Sequence, residues 1–109
     1  MRTSSTQDTI ISILNEHHLL SMKEIASRMN VDFSTIFRNV ETMCAHQLLK
    51  KIVIDKDTVK YELADHTHDH FICDDCGTIK EIALPAKESL VAYGAISDII
   101  IHGTCKACL

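Results

Sequence analysis

Four cysteines form two C-x-x-C pairs in the second half of the chain, Cys73 with Cys76 and Cys105 with Cys108. Two residues between thiolates let both sulfurs face one ion, and four thiolates complete the tetrahedral shell of a structural zinc site. The 28 residues between the pairs are no obstacle, because the entropy of loop closure grows only logarithmically with loop length. The sequence therefore predicts a bound zinc with no ligand position left for water or substrate.

The same thiols could instead form a redox dithiol or a pair of disulfides. No secretory signal is found at the N-terminus, and no apolar run reaches the roughly 18 residues that a membrane helix needs. We therefore expect a cytoplasmic protein with reduced thiols, a setting that favours metal binding over disulfides. Asp74 and Asp75 adjoin the first pair and disfavour a reactive thiolate, which weighs against a thiol-disulfide redox protein.

Two histidines, His68 and His70, precede the first cysteine pair in a segment whose composition favours a strand. Residues i and i+2 of a strand face the same side, so both imidazoles can reach one ion. Glu62 and Glu81, on neighbouring predicted strands, are carboxylates that could complete its shell. A mixed nitrogen and oxygen shell suits Fe(II), Mn(II), Zn(II) or Co(II), and two solvated histidines are the ordinary alternative.

The first half of the chain carries the signals of three helices. Apolar residues at helical spacing predict a helix over residues 6–16. Ser21 with Glu24 makes a capping box for a second helix, and Asp32 can cap a third. The residues predicted to face inward from the third helix are Ile36, Val40 and Met43.

From residue 48 the period changes to that of strands, and two β-rich runs joined by a polar turn at residues 55–57 predict a hairpin. Three helices and a hairpin make a winged helix-turn-helix domain, which we place at residues 1–63. Residues 64–109 are richer in Asp and His and are predicted to form a small α/β domain. Its predicted elements are strands at 69–72, 78–83 and 95–101 and a helix opening at Pro85. The predicted fold class is α+β.

Charge is divided unevenly along the chain, although the net charge is -4. Residues 1–60 carry eight Lys or Arg and seven Asp or Glu, whereas residues 61–109 carry three and eight. The first part could approach phosphate, and the second has the acidity of a cation-binding module. Two ordinary solvated surfaces explain the same numbers.

The predicted outward face of the third helix carries Arg38, whose guanidinium could pair with guanine in a major groove. Ser34 and Thr35 could touch phosphate or base, and Lys50 and Lys51 on the wing could hold the DNA backbone. A three-helix domain with a solvated face is the alternative.

The order of these parts resembles the ferric uptake regulator (Fur) family of metal-dependent transcription regulators. The segment "TQDTIISIL" resembles the opening helix of the family, "FSTIFRNVETM" its recognition helix, "HDHFICDDCGTIKEI" its hallmark motif and "HGTCKAC" its closing pair. The resemblance implies a DNA-binding winged helix, a C-terminal dimerisation domain and a structural zinc on the four cysteines. It also implies a metal-loaded homodimer that represses from a palindromic double-stranded DNA operator, without membrane association, small-molecule substrate or enzymatic activity.

The resemblance further implies a regulatory metal site at the hinge between the two domains. Its ligands would be His18, Glu62, His68, His70 and Glu81, with His17 as the alternative to His18. Glutamates at the two carboxylate positions resemble the iron or manganese sensors, whereas the peroxide-sensing branch tends to carry aspartates there. The expected regulatory ion is therefore Fe(II) or Mn(II). The family usually has Tyr before the recognition-helix Arg, and Phe37 stands at that position among the expected DNA contacts.

A second class of function stays open at this point, a zinc-ribbon module that binds a protein partner and no DNA. Salt-sensitive binding to a palindromic duplex would separate a regulator from such a module, because phosphate contacts release counterions. The sequence shows no nucleophile and base pair, phosphate-binding loop or open zinc site of the kind used in hydrolysis or group transfer.

Overall fold

The chain folds into two compact units, residues 1–66 and 67–109, in a computed structural model that describes residues 3–65, 69–84, 87–96 and 98–109. No helix within these ranges is both long enough and apolar enough to cross a membrane. In chain order the first unit contains α1 (Ser5–His17), β1 (Leu20–Ser21), α2 (Met22–Ser27), α3 (Phe33–Ala45), β2 (Leu49–Asp55) and β3 (Thr58–Leu63).

Side chains cap the starts of these three helices. Ser4 and Gln7 form a capping box on α1, and Ser21 and Glu24 form the predicted one on α2. Asp32 caps α3, as its position in the sequence predicts. Each cap accepts a hydrogen bond from a backbone N–H that the first turn of a helix leaves without a helical partner, so the start of each helix is fixed locally.

The three strands of the first unit form an antiparallel sheet in the order β1-β3-β2. The hairpin of β2 and β3 turns at Lys56 and Asp57, close to the predicted turn. β1 is only two residues long and has no signal in the sequence, yet Leu20 pairs with Tyr61 and thereby ties the segment after α1 to the wing. Three helices and this wing make the predicted winged helix.

A single apolar cluster holds the helices of the first unit to its sheet. α3 contributes Ile36, Val40 and Met43 to it, which are the residues predicted to face inward. Burying one such side chain fully stabilises a fold by roughly 2 kcal/mol. The other buried members are Ile10, Leu14, Leu20, Ile25, Leu49, Tyr61 and Leu63, and the half-buried Cys44 packs against them.

The second unit contains a three-stranded sheet and one helical segment within its described residues. Its elements are β4 (Asp69–Cys73), β5 (Ile79–Ile82), a 3-10 helix (Lys87–Tyr93) and β6 (Ile100–Gly103), with the strands in the order β5-β4-β6. β5 runs antiparallel to β4, whereas β6 runs parallel to it.

Two predictions for the second unit concern the start of β6 and the helix expected to open at Pro85. The strand predicted at 95–101 was wrong at its start, because β6 begins at Ile100. Ile100 pairs with His70, the second residue of β4, and the His70 N–H donates to the carbonyl oxygen of Ile99, so the register with β4 sets where β6 begins. The predicted opening of a helix at Pro85 lies outside the described residues, and the helical segment that follows is a 3-10 helix.

Candidate metal centre and nucleic-acid interface

The four cysteine sulfurs meet at one point of the second unit. The ligand atoms of Cys73, Cys76, Cys105 and Cys108 all lie within 4.8 Å of one another. The Sγ atoms of Cys76 and Cys105 are 3.8 Å apart. Zn–S bonds of about 2.3 Å at tetrahedral angles place neighbouring sulfurs about 3.8 Å apart, so the arrangement fits a four-thiolate zinc shell.

The parallel pairing of β4 with β6 explains why two cysteine pairs so distant in sequence come together. Parallel strands end at the same edge of a sheet, and Cys73, the last residue of β4, pairs with Gly103, the last residue of β6. The backbone N–H of Asp74 donates to the Gly103 carbonyl oxygen at 2.8 Å and extends this pairing by one step. Each strand therefore delivers its C-x-x-C turn to one site.

Two glycines shape the approach to this site. Gly77 follows the first pair with φ +76°, a backbone conformation that L side chains rarely adopt, and donates to the Cys73 carbonyl oxygen at 2.9 Å. Gly103 lies against the ring of Phe71, where an added Cβ would come within 3.1 Å of the ring edge. The first glycine allows the tight turn, and the second allows the close approach of β6 to β4.

Backbone N–H groups stabilise the thiolate form of Cys73. The N–H groups of Cys105 and Cys76 donate to its Sγ atom, each at 3.4 Å, and lower the pKa of the Cys73 thiol to about 6. Hydrogen bonds with Cys105, Cys76 and Cys73 raise the pKa of the Cys108 thiol to about 12. Four sulfurs this close cannot all ionise without a cation between them, and this is the charge that a zinc ion supplies.

In the second unit the residues expected to bind the regulatory metal include one well-placed pair. His70 lies directly opposite Glu81 in the antiparallel pairing of β4 with β5. Opposed residues project from the same face, with Cβ atoms roughly 5 Å apart, so a ring nitrogen and a carboxylate oxygen can converge on one ion. His70 is buried and Glu81 is exposed.

In the first unit the expected ligands are Glu62 and His18. Glu62 is a buried residue of β3, immediately after Tyr61, and Tyr61 pairs with Leu20 of β1. This pairing brings the segment that carries His18 to the same end of the sheet as Glu62. His68 lies outside the described residues.

His18 occupies an unusual backbone conformation, with φ 65° and ψ -50°. The N–H of Leu19 donates to the carbonyl oxygen of His17 at 2.7 Å, which closes a three-residue γ-turn around His18. The positive-φ form of this turn is rare and strained for a residue with a side chain. His17, in contrast, is the last residue of α1 and has helical geometry.

Only one preformed metal-binding cluster occurs in the described ranges. The four cysteines are the group of three or more His, Cys, Asp or Glu side chains whose ligand atoms gather closely enough to share an ion. Of the expected hinge ligands that the structure describes, His70 and Glu81 belong to the second unit, and His18 and Glu62 belong to the first.

The outward face of α3 carries the residues expected to contact DNA. Ser34, Phe37 and Arg38 are exposed, and Thr35 is half-buried. The hydroxyl of Ser34 donates to the Asp32 carboxylate at 2.6 Å, and that of Thr35 donates at 2.9 Å. These bonds, with the Ser34 hydroxyl acting most strongly, lower the pKa of Asp32 to about 2. Both hydroxyl protons are therefore already used within the helix start.

The two wing lysines face opposite sides of β2. Lys51 is exposed, whereas Lys50 is half-buried, directly opposite Glu62, and on the same face as the buried Ile52. Burial raises the pKa of the Cys44 thiol, and the Lys51 ammonium acts in the opposite direction, so it lies on the side of the sheet that faces α3. Of the two, Lys51 is the exposed lysine on the side of the sheet that faces α3.

Phe33 is 54% exposed in the first turn of α3 and was not among the residues predicted to contact DNA. The sequence did contain a signal for this exposure. Phe33 and Phe37 are one turn apart, and both lie outside the inward-facing stripe of the helix, which consists of Ile36, Val40 and Met43.

The model of the ferric uptake regulator family matches residues 1–95 of the 109 residues. The chain belongs to the ferric uptake regulator family. The resemblance of its motifs to the Fur family is thereby confirmed, as is the α+β fold with a winged helix and a four-cysteine cluster.

Individual Fur family proteins differ in what they sense. The chain is 24% identical to the peroxide-responsive repressor PerR of Staphylococcus aureus, over 97% of this chain and 80% of PerR. It is 28% identical to the Helicobacter pylori ferric uptake regulator, whose structure is described as revealing three functional metal binding sites, with a TM-score of 0.78 over 99% of this chain and 82% of that one. A zinc uptake regulator complexed with zinc and DNA shares the fold at 22% identity, with a TM-score of 0.60 over 100% of this chain and 84% of that one.

Proposed function

We propose that this protein is a metal-responsive transcription regulator that binds double-stranded DNA as a homodimer in the cytoplasm and represses from a palindromic operator. Residues 1–63 would form the DNA-binding domain and residues 64–109 the metal-binding dimerisation domain. The observation that carries the proposal is a winged helix with an exposed Arg38, followed by a closed four-sulfur cluster, in a chain of the Fur family. The named relatives are regulators rather than enzymes, which supports a role without catalysis.

The structural zinc is proposed for Cys73, Cys76, Cys105 and Cys108. Their spacing fits Zn–S geometry, and the two backbone N–H donors to Cys73 favour its thiolate form. A disulfide use of the same thiols would break this fourfold arrangement into two pairs. With four protein ligands the ion would have no open position, so its role is to hold the ends of β4 and β6 together.

The regulatory site is proposed to take Fe(II) or Mn(II) on His18, Glu62, His68, His70 and Glu81. The opposed pair of His70 and Glu81 supports it, as does the position of His18 at the same end of the sheet as Glu62. Ligands drawn from both units would couple metal binding to the arrangement of the two units, and hence to DNA binding. The strained turn at His18 favours this residue over His17, because strain of this kind persists where function needs it.

Glutamate at positions 62 and 81 is the reason to propose metal sensing rather than peroxide sensing, although one named relative is a peroxide-responsive repressor. The distinction has a direct test in the Fe(II)-loaded protein treated with hydrogen peroxide. Mass spectrometry should find no oxygen added to His18 or His70. Oxidation of either histidine at low peroxide would replace this part of the proposal with peroxide sensing.

DNA contact is proposed through the start of α3 and the wing. The amino-terminal residues of a recognition helix are those that reach base edges in a major groove, and Phe37 and Arg38 are exposed there. Lys51 would hold a phosphate, with Lys50 turned toward the opposite face of the wing. Ser34 and Thr35 would act mainly as acceptors while their hydroxyl groups donate to the ionised Asp32 carboxylate.

A homodimer is proposed through the second unit. Val91 and Tyr93 of the 3-10 helix are exposed by 70% and 83%, and Ile96 and Ile101 are also exposed. Among the described strands β6 is paired on one side only, so its other edge can accept a strand. Exposed apolar side chains beside an available strand edge are typical of a surface that another chain covers.

The proposal is tested by selecting duplexes from a randomised library with zinc-loaded protein in the presence of Mn(II), and then measuring binding of the selected duplex by fluorescence anisotropy. We expect a palindromic consensus, binding that weakens with added salt, and loss of binding when EDTA removes Mn(II). Arg38→Ala should abolish selection of the consensus, whereas Arg28→Ala, an exposed arginine at the end of α2, should not. A protein that selects no duplex under any metal condition would favour the protein-interaction module.

A further inference from the structure

Two phenylalanines form an exposed aromatic row on the first two turns of α3. Phe33 is 54% exposed and Phe37 is 47% exposed. They are four residues apart on one helix, so their rings lie one above the other on the same face. Exposing two large apolar rings side by side is unfavourable in water, and neither belongs to the apolar cluster that holds the first unit together.

The polar residues around this row leave little capacity for reading bases by hydrogen-bond donation. The hydroxyl protons of Ser34 and Thr35 are directed to the Asp32 carboxylate. Arg38 is therefore the strong donor that remains at the start of α3, and it lies directly after Phe37. A reading surface built this way combines one guanidinium with two rings.

The aromatic row lies beside an exposed guanidinium. Arg38 is exposed next to Phe37, whereas Lys51 acts electrostatically on Cys44, at the other end of α3. Two exposed carboxylates lie nearby: Asp32, directly before Phe33 and already engaged by Ser34 and Thr35, and Glu41, one turn beyond Phe37. Arg38 thus offers a positive charge for guanine or phosphate beside the apolar surface of the two rings.

We propose that Phe33, together with Phe37, reads thymine bases in the operator through contact with their 5-methyl groups. The thymine methyl is the apolar feature of the major groove, and phenylalanine is among the side chains that can contact it. Phe33 would then be a specificity-determining residue, with thymines placed beside the base pair that Arg38 reads. This inference rests on the proposed DNA binding, and it adds the kind of base that the aromatic row selects.

The test replaces thymine by deoxyuridine, position by position, in the duplex selected by the wild-type protein with Mn(II). Deoxyuridine lacks only the 5-methyl group, and burial of one such group is worth about fourfold in dissociation constant. We expect a loss of about this size at one or two positions of each half-site for wild type. Phe33→Ala should bind the thymine duplex more weakly and should no longer distinguish deoxyuridine at the position that Phe33 contacts.

A matched control is Val53→Ala, which shortens an exposed apolar residue of the wing. This variant should keep the wild-type response to deoxyuridine. Equal penalties for deoxyuridine in wild type and Phe33→Ala, or no penalty in wild type, would overturn the inference while leaving DNA binding intact. A protein that binds no thymine duplex at all would overturn the proposed function itself, and Phe33 and Phe37 would then be assigned to a protein partner.

Discussion

His70 and Glu81 face each other directly across the pairing of β4 and β5, so an imidazole and a carboxylate project from one face of the second unit. A nitrogen and an oxygen ligand so placed suit Fe(II) or Mn(II), whereas the four sulfurs at the other end of β4 suit zinc. β4 therefore carries candidate ligands of two chemical kinds, His70 near its start and Cys73 at its end. Under the proposed function, this separation would let one ion stabilise the unit while the other exchanges.

The pairing of His70 with Glu81 leads to the first prediction. Glu81→Gln should weaken Mn(II) binding by about tenfold or more, because even the loss of a partner that only supports a ligand has that effect. The zinc content should stay at one per chain. Isothermal titration with Mn(II) measures the change, and Glu88→Gln, an exposed carboxylate on the 3-10 helix, serves as the matched control. Unchanged Mn(II) affinity in Glu81→Gln would remove this residue from the site.

The backbone of His18 leads to the second prediction. Glycine tolerates φ 65°, so His18→Gly should relieve strain and raise the free energy of unfolding by roughly 1 kcal/mol in the absence of Mn(II). The same variant should lose Mn(II) affinity, because it removes a ligand. His17→Gly should lower the free energy of unfolding, since this residue is helical, and should keep Mn(II) affinity. Urea unfolding measures the stability of the two variants, and titration measures their Mn(II) affinity. Loss of Mn(II) affinity in His17→Gly but not in His18→Gly would assign the ligand to His17.

The cysteine cluster leads to the third prediction. Cys76→Ser should abolish retention of zinc through dialysis and lower the melting temperature, because the ends of β4 and β6 lose their link. Cys44→Ser provides the control, since Cys44 lies in the first unit and packs against its apolar cluster. That variant should keep one zinc per chain by elemental mass spectrometry. Full zinc retention in Cys76→Ser would show that the cluster does not hold the ion.

The cap of α3 leads to the fourth prediction, which concerns acid stability. The folded-state pKa of Asp32, about 2, lies below its ordinary value of 3.8, chiefly because Ser34 and then Thr35 donate to the carboxylate. A lowered pKa means that the ionised carboxylate stabilises the folded chain above about pH 4, and that this contribution is lost as the pH falls from about 4 to about 2. Asp32→Asn should lose less stability over this interval than the parent chain does.

Tyrosine fluorescence can follow the acid unfolding of the first unit alone. The chain has two tyrosines and no tryptophan, and Tyr93→Phe leaves the buried Tyr61 as the reporter. Asp32→Asn would then be compared with the parent in this background. Identical acid transitions in the two proteins would show that the cap adds no stability that depends on pH.

The sequence predicted those parts of the fold whose signals are local. Ser21 with Glu24 and Asp32 marked the starts of α2 and α3, because capping depends on residues three apart in the chain. β1 was not predicted, since two residues are too few to show the period of a strand. Leu20 belongs to a strand only because it pairs with Tyr61, forty-one positions away. The start of β6 was misplaced for the same reason, because the pairing with β4, and not the local composition, determines where β6 begins.

In the candidate sites, too, the sequence predicted what depends on nearby residues and missed what depends on distant contacts. Cysteine spacing predicted the sulfur cluster, because the chemistry of a C-x-x-C pair is local, but the parallel pairing that joins the two pairs is visible only in the fold. The sequence did not predict that the hydroxyl groups of Ser34 and Thr35 donate to Asp32, which limits their role as donors to DNA. A side chain on the outward face of a helix can still form a hydrogen bond with the residue that caps it. Exposure of Phe33 likewise depends on what α3 packs against.

Coupling between metal and DNA is the central claim, and linkage makes it measurable in one titration. If Mn(II) strengthens DNA binding by some factor, DNA must strengthen Mn(II) binding by the same factor. We would titrate Mn(II) into zinc-loaded protein, with and without a saturating amount of the selected duplex, and compare the two dissociation constants. The account predicts tighter Mn(II) binding when DNA is present, by the factor that Mn(II) has on DNA affinity. Equal Mn(II) affinity in the two titrations would contradict it.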